Sequence, residues 1–345
     1  MLLHLNAPLQ TARLGVAALT VVAIAGCSSN PADAPPRTIP AAQAADSPAV
    51  TEAPSGTVEP LAAPAQTAVF DASTRSLLVL GPGPGDRSTV TVFARTGTPS
   101  TVVLDGAATA MAGDGQGRAY VSTRGGYFRL DIAGGDVTKR SVAGQDGVEF
   151  TAIARRADGK VVLGSADGAV YTLSSETEVG AQLKIFARVD AIVTQGNTAV
   201  VLDRGQTSVT SLNDEGTESE HALRAGEGAT TMVADAAGRV LVADTRGGAL
   251  LVYSVNPLIL RQRYPVPDSP YGLAGSGNTR GLTWVAQTAT NTVVGYDLAT
   301  GIPVEKVRYR TVQQPNSLAF DDASGTLYVV SGSGAGVQVI EGAVK

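Results

Sequence analysis

The chain has 345 residues, a formal net charge of −5 at pH 7, one cysteine and two histidines. A single cysteine excludes a framework of internal disulfides, and two histidines are too few for histidine-clustered zinc or copper sites. The mild acidity argues against non-specific nucleic-acid binding, which needs clustered Lys and Arg to displace phosphate counterions.

Residues 14–26 form an uncharged, largely apolar run directly after Arg13. A membrane helix needs about 20 apolar residues, whereas the core of a secretory leader needs roughly 7 to 15, so residues 1–26 are expected to be a signal peptide. Its end, Ile24-Ala25-Gly26-Cys27, resembles the lipobox of bacterial lipoproteins, in which the cysteine thiol accepts a lipid before cleavage. The resemblance implies that Cys27 is lipidated and becomes the first residue of a protein held at the outer face of the cytoplasmic membrane. His4 and Arg13 would leave with the leader, so the mature chain would keep His221 alone and carry 25 basic against 31 acidic residues. A Ser-His-Asp triad would have to use that one histidine.

Residues 27–56 are rich in Ala, Pro and Ser and contain no aromatic side chain; the first aromatic after the leader is Phe70. Such a composition cannot bury enough apolar surface to fold on its own, so a disordered tether is expected. From residue 57 to 345 the pattern changes to short Val, Leu, Ile, Thr and Tyr runs broken by Gly, Asp and Asn, an all-β signature. Apolar strands preceded by turn residues begin near Leu77, Ala119, Val161, Ala199, Val240, Leu282 and Leu327, at intervals of 38 to 45 residues. Seven such units match the length of four-stranded blades and predict a seven-bladed β-propeller of antiparallel sheets.

The turns before these strands repeat, as in Asp114-Gly115-Gln116-Gly117, Asp158-Gly159-Lys160, Asp235-Ala236-Ala237-Gly238 and Asp321 to Gly325. Asp supplies a side-chain bond to the backbone and Gly supplies positive φ. The strands that follow are apolar almost continuously, as in Val240-Leu241-Val242-Ala243, which suits a sheet covered on both faces. Arg261, Arg263, Lys306, Arg308 and Arg310 fall on predicted outer strands, where charge protects an edge from further pairing. The last repeat stops after Gly336 to Ile340, one strand short, so residues near Thr57 to Leu61 are expected to supply the missing strand and close the ring. Trp284 is expected in the core, and Gly81-Pro82-Gly83-Pro84-Gly85 in a hairpin turn, since it lacks the Lys and Ser/Thr of a phosphate loop.

Pro315 to Asp321 and Gly325 to Val330 resemble the repeats of the NHL and YVTN propeller group. With the lipobox, the Ala/Pro tether and stretches such as Asp203 to Val209, the whole is similar to LppL-like lipoproteins of mycobacteria and other actinobacteria. That resemblance implies a cell-envelope propeller and brings no catalytic residues.

A site is expected on the face where the loops joining second to third strands meet the loops joining successive blades. Arg124, Arg204 and Arg246 recur in the first set, with Arg87 near the corresponding place. Guanidinium groups suit carboxylate or phosphate, so these arginines could form an anion- or glycan-binding face with Tyr271 and Asn316 at the channel mouth. Asp105, Asp146, Glu149, Asp190, Glu227 and Asp268 fall in the second set and could instead pair with them. A third reading places a calcium ion on Glu149, Asp190 and Asn316, as in gluconolactonase-like propellers, and makes the protein a metal-dependent lactonase-like hydrolase. The preferred expectation is a non-enzymatic, cofactor-free binding or assembly module, lipid-anchored in the cell envelope, for an envelope protein, glycan or other anionic ligand.

Overall fold

The computed structural model describes residues 36–345 except Thr96, Thr279, Arg280 and Lys345. The expected signal peptide, the lipidated Cys27 and the first part of the tether lie outside the described residues. No helix among the described residues is long and apolar enough to cross a membrane.

The strands form seven four-stranded antiparallel sheets, a seven-bladed β-propeller. Blade 1 consists of Thr67–Asp71, Ser76–Pro82, Ser88–Ala94 and Ser100–Leu104, from the channel outward. Blades 2 to 6 follow over residues 108–141, 150–184, 191–224, 229–265 and 270–310. Blade 7 takes Pro315–Asp321, Thr326–Ser331 and Val337–Ile340 from the end of the chain and its outer strand, Thr57–Glu59, from the beginning. Thr57, Val58 and Glu59 lie opposite Val339, Gln338 and Val337, so the ring is closed by non-covalent pairing.

The continuous apolar strands are explained by what flanks them. Val240 and Val242 pack toward blade 4 with Val200, Leu202 and Val209, whereas Leu241 and Ala243 pack toward blade 6 with Val285 and Val294. Successive residues of a strand point to opposite faces, so a strand between two neighbouring blades must be apolar at every position. Each of the seven blade junctions holds its own apolar cluster. The junction of blades 7 and 1 has the smallest set of buried apolar residues, Leu77, Val79, Ala319, Val330 and Val337. It is reinforced by Phe70 stacked on Tyr328 at 5.7 Å and by Arg75 bonded to Asp321 at 2.9 Å. Trp284 is fully buried between blades 6 and 7.

The hairpin turns work as their composition predicts. Asp235 Oδ1 accepts the amides of Ala237 and Arg239, each at 3.0 Å, while Gly238 takes φ +77°. Asp114 Oδ1 likewise accepts Gln116 and Arg118 at 2.8 and 3.0 Å, with Gly115 and Gly117 at positive φ. The Gly81 to Gly85 stretch is the end of a strand and its hairpin turn, closed by Gly83 N donating to Arg87 O at 2.9 Å.

The structure departs from the sequence expectation at the tether. Residues 36–56 belong to the same compact unit as the propeller and run as an extended strap over blades 4, 5, 6 and 7 before entering blade 7 as its outer strand. A segment of Ala, Pro and Ser indeed has no surface with which to build its own core. Its backbone groups are satisfied instead by side chains and loops of the ring, a possibility that composition does not register.

Candidate functional site

The face expected to carry the site is organised by polar residues that end the second strands. Asp203 and Asp244 are fully buried there. Asp244 Oδ1 accepts Glu227 N, Gly228 N and Gly247 N at 3.1, 2.8 and 3.0 Å, tying the loop that enters blade 5 to the turn inside it. Asp203 does the same one blade earlier, with Ala187 N at 2.8 Å and Gln206 N at 2.9 Å. Such a carboxylate is satisfied by amides alone. A Cβ on Gly226 or Gly247 would fall 1.9 or 2.0 Å from Asp244 Oδ2, so glycine is needed on both sides of the carboxylate. These acids ended the apolar strand segments Val200-Val201-Leu202 and Val240 to Ala243, and an acid closing a buried strand is the signal by which sequence reasoning could have found them.

The buried ends place Arg124, Arg204 and Arg246 in equivalent turns of blades 2, 4 and 5. Arg124 Nη1 donates to Gly147 O at 3.1 Å and Arg246 Nη1 to Glu227 O at 3.1 Å, so each clamps the loop entering its own or the next blade. Arg204 uses its backbone for the equivalent link, its amide donating to Asp190 Oδ2 at 2.7 Å. The remaining guanidinium donors of two of them hold the strap. Arg204 Nη2 donates to Ala42 O and, at 3.4 Å, to Gln43 Oε1. Arg246 Nη2 donates to Pro40 O at 2.7 Å.

The strap continues over the ring with partners in every blade it crosses. Ile39 N donates to Gly205 O at 2.8 Å, and Ala42 is buried against Gly228 and Arg246. Ala45 N donates to Ser269 Oγ at 3.0 Å and Ser47 N to Gln314 Oε1 at 3.0 Å. Gln314 Nε2 returns a bond to Ala45 O at 3.0 Å, Gln313 Nε2 reaches Ser47 O at 3.1 Å, and Asn291 Nδ2 reaches Pro48 O at 2.8 Å. Farther on, Glu52 pairs with Arg310 at 2.7 Å and Ser55 N donates to Arg310 O at 3.1 Å. Ser269, Asn291 and Gln314, three of the residues that grip the strap, have left-handed backbones with φ of 59°, 49° and 57°. Non-glycine residues rarely hold that conformation unless the surroundings over-determine it, and strained positions of this kind concentrate at binding clamps.

The other expected residues are spread over blades 3, 4, 6 and 7, with Tyr271 and Asn316 on neighbouring inner strands. Glu149 is exposed at the entrance to blade 3. Asp190, at the entrance to blade 4, is engaged by the Arg204 amide and by Arg188 Nε at 3.3 Å. Burial pushes its carboxyl above the usual range, and the Arg204 amide and the guanidinium groups of Arg204 and Arg188 pull back against that shift. Asn316 lies in blade 7, where Gln314 Nε2 donates to its Oδ1 at 3.0 Å. Tyr271 is the second residue of the inner strand of blade 6, half-buried, and its carbonyl accepts the Thr231 hydroxyl. Among the described residues no three His, Cys, Asp or Glu side chains are grouped so as to hold a metal ion. His221 is exposed on the outer strand of blade 4.

Fold and face together define a seven-bladed β-propeller with one face strapped by its own N-terminal segment. In comparisons with known proteins, no family model matches the chain and no curated protein matches it. Many solved structures share the fold. One of them, hydrazine synthase from Kuenenia stuttgartiensis, aligns over 84% of this chain and 99% of its own with a TM-score of 0.66 and 15% identity. At that identity the likeness shows the propeller alone.

Proposed function

We propose that the protein is a lipid-anchored propeller of the cell envelope, acting as a binding or assembly module rather than an enzyme. The observation that carries this reading is the strap. Arg37 lies beside Phe186 and Gln206 and the chain is gripped from Ile39 onward, so only residues 28–36 separate a lipidated Cys27 from the domain. Nine extended residues reach at most about 30 Å, which holds the strapped face close to the bilayer and turns the other face outward. The lipobox-like Ile24 to Cys27 and the NHL/YVTN-like repeats support the same placement among LppL-like lipoproteins. In this reading Arg204 and Arg246 serve the chain's own anchor segment first, while Arg124, Tyr271 and Asn316 remain available at the channel mouth to an envelope protein or glycan.

Fractionation tests the anchor: the wild-type chain should sediment with membranes and the Cys27→Ser chain should not. Retention of the serine variant in the membrane fraction would remove the lipid anchor from consideration. Melting the protein with millimolar calcium separates a binding module from a lactonase-like hydrolase, since an ion bound only by the folded state must raise the melting temperature. The expected shift is nil, and a saturable rise would favour the hydrolase.

A further inference from the structure

Among the described residues the strap bonds to one face of the ring and not to the opposite one. On that face, between blades 2 and 3, lies a cleft of about 390 Å³, within the range of small-molecule sites. Arg118, Arg129, Arg155 and Lys160 line it, against Asp158 and Glu176. Both acids are already engaged. Glu176 is held by Arg129 and, at 2.9 Å, by Arg140; Asp158 is held by Arg156 at 3.1 Å and Lys160 at 3.9 Å. Arg118 and Arg155 form no side-chain hydrogen bond or ion pair among the described residues, so two guanidinium forks remain free in a chain whose net charge is negative.

The rest of the wall suits an oxyanion. Ser175 Oγ accepts the amides of Thr177 and Glu178 at 3.4 and 3.1 Å and keeps its own proton to donate. Tyr127, whose hydroxyl donates to Glu176 O at 2.9 Å, fixes the loop that carries Ser175 and Glu176. Burial, and then the charge of Glu176, push the Tyr127 phenol up to about 12, so this donor stays protonated throughout the neutral range. The larger cleft of about 710 Å³ between blades 7 and 1 provides the contrast. It sets Arg75 and Arg95 against Glu59, Asp321 and Glu341 and has no cationic excess.

We propose that the cleft between blades 2 and 3 binds an extended ligand carrying two or more phosphate or carboxylate groups, with Arg118 and Arg155 as its two recognition forks. A guanidinium presents paired donors that match the oxygens of either group. Two forks carried by different blades, Arg118 by blade 2 and Arg155 by blade 3, favour a ligand with two charged groups over a single small anion. The site is remote from the strap and needs neither the anchor nor the arginine row, so its failure would leave the anchoring reading untouched.

Calorimetric titration of the full chain in detergent tests it with three probes: fructose 1,6-bisphosphate, digalacturonic acid and inorganic phosphate. The first two distinguish phosphate from carboxylate as the preferred group. At least one of them should saturate and bind about tenfold or more tightly than inorganic phosphate. The double variant Arg118→Ala/Arg155→Ala should weaken that binding about tenfold or more. Arg261→Ala/Lys306→Ala, which removes the same charge from outer strands of blades 5 and 6, should leave it unchanged. Glu176→Gln, which releases Arg129 and Arg140 from their partner, should tighten it. Failure of both dianionic probes to saturate, equal losses in the two double variants, or weaker binding in Glu176→Gln would each overturn the proposal.

Discussion

Replacing both Arg204 and Arg246 with alanine should free the leading end of the strap without unfolding the ring. Arg204 Nη2 bonds Ala42 O from a half-buried position, and Arg246 Nη2 bonds Pro40 O at 2.7 Å from an exposed one. Hydrogen bonds from charged groups contribute about 1.5–3 kcal/mol, toward the lower end for a half-buried donor, and less than about 1 kcal/mol when solvent competes. The pair is therefore worth about 2–3 kcal/mol to the segment that includes Pro40 and Ala42. At about 1.4 kcal/mol for each factor of ten, the open population should rise roughly 30- to 150-fold. Amide hydrogen exchange reads this directly: the Ile39 amide, bonded to Gly205 O at 2.8 Å, should exchange faster by that factor. The Ser55 amide, bonded to Arg310 O at 3.1 Å near the closing strand, should change little, because distant segments open independently. Side-chain truncation spares the Arg204 amide and its bond to Asp190, so the loop beneath should survive. An Ile39 amide that exchanges at the free-peptide rate in the wild type, or at the same rate in the variant, would refute the strap.

Asp244→Ala should strand the amides of Glu227, Gly228 and Gly247 in a fully buried site, costing about 3–6 kcal/mol; calorimetry showing an unchanged melting temperature would remove its role as the loop tie. Burial pushes Asp321 up, but bonds from Ser324, Arg75 and Ala323 outweigh it and hold the carboxyl below its usual range. Its contribution is thus complete above the ordinary value and lost as pH falls through the lower folded one, so the gap in melting temperature between wild type and Asp321→Asn should close on acidification; a gap that persists at low pH would contradict this. A chain beginning at residue 66, lacking Thr57–Glu59, should melt below one beginning at 45, and equal melting temperatures would show that the pairing with Val337–Ile340 adds nothing.

The parts of this fold that were legible in the sequence are those where one residue type meets one physical demand. All seven apolar starts, from Leu77 to Leu327, fall within the second strands of their blades or, for Leu282, one residue before. Those strands lie between neighbouring blades and are buried over nearly their whole length, so both alternating faces must be apolar. The Asp and Gly turns were legible because few residues can supply a backbone-directed carboxylate and positive φ. The strap was not, since its partners, Ser269, Asn291, Gln313 and Gln314, are ordinary polar loop residues scattered over more than forty positions. The arginines lie in the turns between second and third strands, as their spacing suggested, but the targets of Arg204 and Arg246 in the strap are mainly backbone carbonyls, which leave no mark in a sequence. The cleft between blades 2 and 3 escaped notice for a related reason. Arg118, Arg155 and Lys160 belong to two different hairpins and become neighbours only across a blade junction.

The strap also bears on why the closing strand is secure. Thr57–Glu59 pairs over three residues, at the junction with the smallest set of buried apolar residues. If the chain left the ring directly from Thr57, any pull on the N-terminal segment would act on those few bonds. Instead the segment is fastened first at blade 4 through Ile39, then at blade 5 through Pro40 and Ala42, at blade 6 through Ala45 and Ser47, and at blades 6 and 7 through Glu52 and Ser55. A load entering at residue 37 must break these attachments in sequence before it reaches the closing strand. Local opening at the blade 4 end therefore relieves the load without exposing an unpaired edge at Val337–Ile340, and the ring stays closed while the strap frays.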